Sequence, residues 1–344
     1  MKFKQAVAEF VPQIETEIHR YLTPATETID PFWGMMLYHL GWRDDRLQPV
    51  QAPAGKRLRP VFTMLACQAE NGDPAVALPA AAAVELVHNF TLIHDDIQDN
   101  SDTRRGRLTV WKIWGVPQAI NAGDAMFTLA RNALLKLREK GVSAETVLDA
   151  TACLDRTLMK LCRGQYLDMA FEETMSVQQE TYLEMIAGKT AALLACSGYL
   201  GALVATETPA MAERYWQFGH ALGMAFQMQD DILGIWGDPA VVGKPIGDDL
   251  RRHKKTMPVI FALSQPETTD TRRFRELYRQ SELTDKMVAE AVSLLEKIGA
   301  KTYTETQTER YTRRAQQMLD SIGENGDAKE TLQDMLTFLL ARTY

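Results

Sequence analysis

The chain has 344 residues, 46% hydrophobic and 24% charged, with a formal net charge of −7. That composition suits a globular protein with a large core, and the negative balance argues against non-specific binding to nucleic acid. Any anionic ligand must therefore be held by local clusters of Lys and Arg.

The N-terminus carries Glu9, Glu15 and Glu17 where a secretory signal would be apolar and uninterrupted, so a cytoplasmic protein is expected. Apolar residues at three- and four-residue spacing predict helices over 61–70, 76–99, 119–140, 144–168, 177–205, 209–236 and 287–297. Strand-like alternation is almost absent. The expected fold is all-α, with a dozen or so helices in a single domain over 1–344. The longest uncharged run, Thr190 to Ala205, has 16 residues, short of the roughly 20 that cross a bilayer, so no membrane span is expected. Breaks fall at 71–74, at 100–108 and at 237–247, the last rich in Gly and Pro and expected to be a mobile surface loop. The charged stretch 269–344 reads as peripheral helices on the same body. Cys67, Cys153, Cys162 and Cys196 stand singly in apolar segments, which predicts four buried thiols in a reducing compartment, with no zinc site or disulfide framework.

At about 100° per residue, His88, Asp95 and Asp99 share one helical stripe. Like charges at that spacing cost stability, and nothing in the apolar run before them requires them. Oxygen donors one turn apart suit Mg²⁺ better than Zn²⁺, although acidic helix ends are also common as plain solvated surface. Gln227, Asp230 and Asp231 fall on one face of a second helix, flanked by Phe226, Met228, Ile232 and Leu233. Carboxylates beside a core call for charge partners. Positive charge gathers at Lys56 and Arg59, at Arg104 and Arg105, at Lys189 and at Arg251 to Lys255. Gly188-Lys189-Thr190 lacks the earlier glycine of a P-loop and there is no GxGxxG, so nucleotide binding is not expected. Acidic clusters interspersed with Lys and Arg suggest a phosphorylated substrate shared between cations and arginine forks.

These residues resemble the trans-isoprenyl diphosphate synthases. The matching patterns, in order over about residues 55–258, are Gly55-Lys56-x-x-Arg59, Glu85-x-x-His88, Asp95-Asp96-x-x-Asp99 with Arg104-Arg105-Gly106, Gly164-Gln165-x-x-Asp168, Gly188-Lys189-Thr190, Phe226-Gln227-x-x-Asp230-Asp231 and Lys254-x-Thr256-x-Pro258. The resemblance implies a helical bundle in which the two aspartate motifs face each other over a deep cavity. It implies three Mg²⁺ ions, two held by Asp95 and Asp99 and the third by Asp230, with Asp96, Asp168 and Asp231 supporting them. Lys189, Lys254 and Arg104 would take an allylic diphosphate (dimethylallyl, geranyl or farnesyl), with Thr190 and Gln227 nearby. Lys56, Arg59, His88 and Arg105 would take isopentenyl diphosphate. A homodimer is also implied, as is loss of the product proton to the departing diphosphate.

Two positions depart from the family pattern. Gly234 stands where a third aspartate often closes the second motif, leaving Asp249, or failing it Asp238, to support the third metal. His253 stands where a glycine commonly precedes Lys254, so the phosphate-binding lysine is to be sought among Lys244, Lys254 and Lys255. Phe90 and Thr91, the fifth and fourth residues before Asp95, resemble the pattern that yields geranylgeranyl diphosphate, with farnesyl diphosphate as the alternative. A class I terpene cyclase would not need Lys56, Arg59, His88 and Arg105. A non-catalytic partner subunit would be expected to lose metal ligands, and the first cluster is intact.

Overall fold

A computed structural model describes residues 2–23, 30–53, 55–172, 174, 176–239 and 245–341. Among them the fold is all-α, apart from one two-residue hairpin, and the chain groups into two compact units.

The first unit is Met1–Leu154 with Cys196–Glu213 and Ile322–Leu332. It contains α1 (Lys2–Leu22), α2 (Pro31–His39), α3 (Leu58–Ala69), α4 (Pro74–Gln98), α5 (Val110–Trp114), α6 (Val116–Leu135) and the start of α7 (Ala144–Glu172). Helix α1 turns Phe3, Phe10, Ile14 and Ile18 inward at helical spacing. Helix α4 starts where Asp73 accepts a hydrogen bond from the Ala75 amide, with Pro74 in the first turn. Its run Ala80 to Ala83 is fully buried, as expected of a helix apolar on every face. α4 packs most extensively on α6, and also on α3 and α1.

The second unit is Asp155–Ala195 with Arg214–Ser321 and Gln333–Tyr344. It holds the rest of α7, α8 (Gln179–Ile186), most of α10 (Pro209–Trp236), α11 (Asp248–Arg251), α12 (Met257–Ser264), α13 (Thr269–Tyr278), α14 (Asp285–Lys297) and α15 (Ala300–Asp320); α9 (Ala192–Thr206) and α16 (Gly326–Leu340) run through the unit limits. One core joins Tyr182, Met185, Met224, Met228, Met257 and Ile260. A second joins Ile235, Leu250, Val259, Phe274, Leu277 and Leu295.

Predicted helices sit within a few residues of those observed, with two refinements. The 119–140 segment ends as a 3₁₀ turn at Lys136–Lys140, and the 177–205 segment is interrupted by a π-helical turn at Ala187–Ala191. Cys67, Cys153 and Cys196 are buried thiols, but Cys162 is exposed, because it falls on the outward stripe of α7. Two stretches, Pro74–Gln98 and Gln179–Thr206, are long and apolar enough to cross a membrane, which run-length counting missed because each carries scattered polar groups. The apolar windows are 78% and 83% buried, as in core helices. Of the loop expected at 237–247, residues 240–244 lie outside the described residues, and Lys244 with them.

Candidate active site

In the first unit α4 meets two basic segments, Arg104 at its acidic end and Arg57 with Arg59 about two to three turns earlier. Asp95 is half-buried, Asp96 buried and Asp99 exposed. Asp99 caps the helix, its amide bonded to the Asp95 carbonyl at 2.8 Å. Both Nε and Nη2 of Arg104 lie 2.8 Å from Asp96 Oδ1. Burial pushes the Asp96 carboxyl upward, against the pull of Arg104. The pair thus fixes Arg104 while Asp95 and Asp99 keep the end of the helix.

Arg104 and Arg105 reach this place through a hairpin. Thr103–Arg104 pairs with Arg107–Leu108, and the two turn residues, Arg105 and Gly106, have φ of 53° and 76°. Positive φ at both positions is the signature of a type I′ turn, so Gly106 follows from backbone geometry. Gly55, at φ 91°, leaves room for the Arg105 guanidinium, 2.8 Å from where a Cβ would stand. Arg59 Nη1 lies 3.5 Å from His88 Nε2. Burial and the nearby Arg59 and Arg105 push the His88 imidazole well down, leaving it neutral.

Two residues of this cluster were missed by motif reading. Arg57, at φ 49°, is buried, with Nη1 2.5 Å from Glu85 Oε1 and Nε 3.4 Å from Glu15. Glu85 also accepts from Asn89 at 2.7 Å, so the glutamate three residues before His88 anchors an arginine instead of facing a ligand. His39 is half-buried, its Nε2 itself buried and unpaired, and desolvation with Arg105, Arg104 and Arg57 holds it neutral. It helps line a small crevice of about 20 Å³ with Tyr38, Asp96, Arg104, Arg105 and Arg107. Only tertiary burial distinguishes His39 from other histidines.

In the second unit two glycines position the key lysine. A Cβ on Gly164 would lie 2.3 Å from the Lys189 amide nitrogen, and one on Gly188 would lie 2.4 Å from the Lys160 carbonyl. α7 and the π-helical turn therefore touch backbone to backbone, and Lys189 Nζ comes 2.5 Å from Asp168 Oδ2. Thr190 donates to Gln227 Oε1 at 2.7 Å, and Gln227 Nε2 donates to Asp231 Oδ1 at 3.1 Å. Asp231, fully buried, also accepts from the Tyr182 hydroxyl and, at 2.9 Å, from the Met257 amide. It thus caps α12 and supports that helix's dipole. Burial nonetheless raises its pKa. Asp230, its half-buried neighbour, stands beside this anchor.

The lysines that follow separate by environment. Burial works against the charge of Lys254, but Asp249, Asp231, Asp168 and Asp230 outweigh it and raise its pKa. Lys255 is buried, donates to the His253 carbonyl at 3.2 Å and lies by the Tyr278 ring. Of the two, Lys254 is therefore the lysine that faces the four aspartates. His253 has φ 52°, which accounts for the family's usual glycine there. Asp249 is buried, and a Cβ on Gly234 would be 2.2 Å from its Oδ2. The missing aspartate side chain is thus the space that Asp249 fills, whereas Asp238 is exposed.

The donors suited to a metal are carboxylate oxygens, which fit Mg²⁺. Among the described residues no three acidic or metal-ligating side chains form a closed group. Mg²⁺ is normally held by one or two carboxylates with water and substrate phosphates.

Residues 42–295 match the model of the family described as Polyprenyl synthetase. The chain is 36% identical over 332 residues to a (2E,6E)-farnesyl diphosphate synthase of Mycobacterium bovis, covering 94% of this chain and 91% of that protein. It is 42% identical over 283 residues to a geranylgeranyl diphosphate synthase of Mycobacterium tuberculosis, covering 82% and 79%. The crystal structure of a geranylgeranyl pyrophosphate synthetase from Pyrococcus horikoshii superposes with a TM-score of 0.88 at 31% identity, covering both chains completely.

Proposed function

The chain belongs to the polyprenyl synthetase family and is an isoprenyl diphosphate synthase, and from that premise we propose that it condenses isopentenyl diphosphate head to tail with dimethylallyl, geranyl or farnesyl diphosphate to give geranylgeranyl diphosphate. The observation that carries this reading is the field of Asp168, Asp230, Asp231 and Asp249 around Lys254. Lys254, and Lys189 on Asp168, leave this cluster of four carboxylates incompletely balanced. Lys189, Lys254 and Arg104 take the charge of the allylic diphosphate, with Thr190 and Gln227 fixing its orientation. Lys56, Arg59, Arg105 and neutral His88 hold isopentenyl diphosphate. Asp95 and Asp99 would hold two Mg²⁺ ions and Asp230 the third, with Asp96, Asp168, Asp231 and Asp249 supporting them. Bound Mg²⁺ would supply positive charge to the departing diphosphate. The apolar surface around Phe90 keeps water from the allylic cation.

Incubation with Mg²⁺, labelled isopentenyl diphosphate and each allylic primer, followed by product sizing, tests this. A C20 product is expected. A C15 product replaces it with farnesyl diphosphate synthesis, and consumption of an allylic diphosphate without isopentenyl diphosphate indicates a cyclase. Phe90→Ala is expected to lengthen the product by one or more five-carbon units; an unchanged profile removes Phe90 as the floor.

The protein is further proposed to be a cytoplasmic homodimer that neither spans a membrane nor binds nucleic acid. Met159, Tyr166 and Met169 are 72%, 70% and 40% exposed, and they share with Cys162 one stripe of α7. Exposed apolar stripes of this kind mark association surfaces. Tyr166→Glu is expected to halve the mass in solution, read by light scattering. Free buried thiols suit a reducing compartment.

A further inference from the structure

The geometry points to Phe127 as a second determinant of product length, an inference that rests on the chain-elongating activity proposed above. Helices α4 and α6 run antiparallel and meet in two successive rungs. In one, Phe90 and Phe127 pack edge-on with ring centroids 5.7 Å apart. In the other, one turn along each helix, His94 lies over Gly123, where an added Cβ would be 2.1 Å from His94 Nε2. The rungs are joined on α4, because Phe90 also packs edge-on to His94 at 5.8 Å.

The arrangement determines what Phe90 can do. Its ring is 8% exposed and held between two aromatic edges, a geometry that adds to simple burial. A growing prenyl chain that displaces the Phe90 ring must also displace Phe127, so the stop has the stiffness of two helices and not of one side chain. Phe127 is half-buried on α6, with its ring against Phe90. Gly123 has a steric reason as well: it seats His94, whose neighbour Asp95 carries the first carboxylate of the motif. The sequence shows only an apolar residue on α6 at this position, and nothing in the family patterns marks it.

The test is product sizing with Phe127→Ala, Phe127→Leu and the Phe90→Ala/Phe127→Ala pair beside the wild-type enzyme, all in Mg²⁺. Phe127→Ala is expected to shift the main product by at least one five-carbon unit, and the pair further still. KM for isopentenyl diphosphate should stay within about twofold of wild type, since no diphosphate contact is touched. Phe127→Leu, which keeps an apolar core group, guards against loss of folding and is expected to give a mixture of the two lengths. Wild-type product lengths from both Phe127 variants, with Phe90→Ala alone lengthening the product, would overturn the inference. Absence of any elongation by the wild-type enzyme would instead defeat the proposed function.

Discussion

Asp95→Asn is expected to lower kcat for condensation by about 10³-fold, the order that losing one preorganised electrostatic contact costs, while the ligand-free protein melts no lower than wild type. The two expectations belong together. Asp95 is half-buried at the end of α4, within a turn of Asp96 and Asp99, and Asp99 already raises the pKa of Asp96, behind the dominant effect of burial. Removing one negative charge relieves repulsion of the size measured for like charges on a helix, about 0.2–0.5 kcal/mol. A carboxylate whose loss spares or helps folding but destroys turnover serves the ligand and not the fold. A ligand-free readout separates this from general damage: Mg²⁺ with inorganic diphosphate should raise the melting temperature of the wild type and do so much less in the variant. Unchanged kcat in Asp95→Asn would remove the residue from the metal site.

The helices were legible because their apolar residues recur at helical spacing, and α10 was read at its observed limits, 209–236. The residues that carry charge were equally legible, since Asp95, Arg104, Lys189 and Lys254 stand in short, ordered patterns. What the patterns hid was the reason for their small residues. Gly164 and Gly188 sit 24 residues apart in sequence, and only the packed backbone reveals that they let α7 reach the π-helical turn that presents Lys189. The π-helical turn itself has no periodic signature, because one extra residue in a helix leaves the apolar pattern nearly intact. Arg57 was passed over between Lys56 and Arg59. Its burial against Glu85 depends on a left-handed backbone that spacing arguments do not see. Glu85, read as part of a ligand motif, anchors that arginine. Cys162 went the other way, because an apolar neighbourhood in sequence says nothing of which face of α7 points outward.

Restoring the family's third aspartate, Gly234→Asp, is expected to destabilise the protein by about 3 kcal/mol, the combined order of overpacking and an unpaired buried charge. The Cβ alone would lie 2.2 Å from Asp249 Oδ2 and 2.6 Å from its Cγ. The new carboxylate would share with Asp249 a buried site whose nearest cation, Lys254, is 3.9 Å away. Two carboxylates so placed cannot both stay ionised without cost. Asp249→Ala alone should also destabilise, because Lys254 loses the strongest of the charges that raise its pKa, and it should weaken the Mg²⁺-diphosphate shift in melting temperature. The Gly234→Asp/Asp249→Ala pair returns one carboxylate to the same space from the other backbone. It is expected to recover most of the stability and most of the Mg²⁺-diphosphate shift, a coupling far outside additivity for independent sites. Chemical denaturation of the four proteins closes the cycle. A Gly234→Asp variant as stable as wild type, or a pair no more stable than Gly234→Asp alone, would show that Asp249 does not hold the place of the absent side chain. The glycine would then be a lost ligand and not an exchanged one.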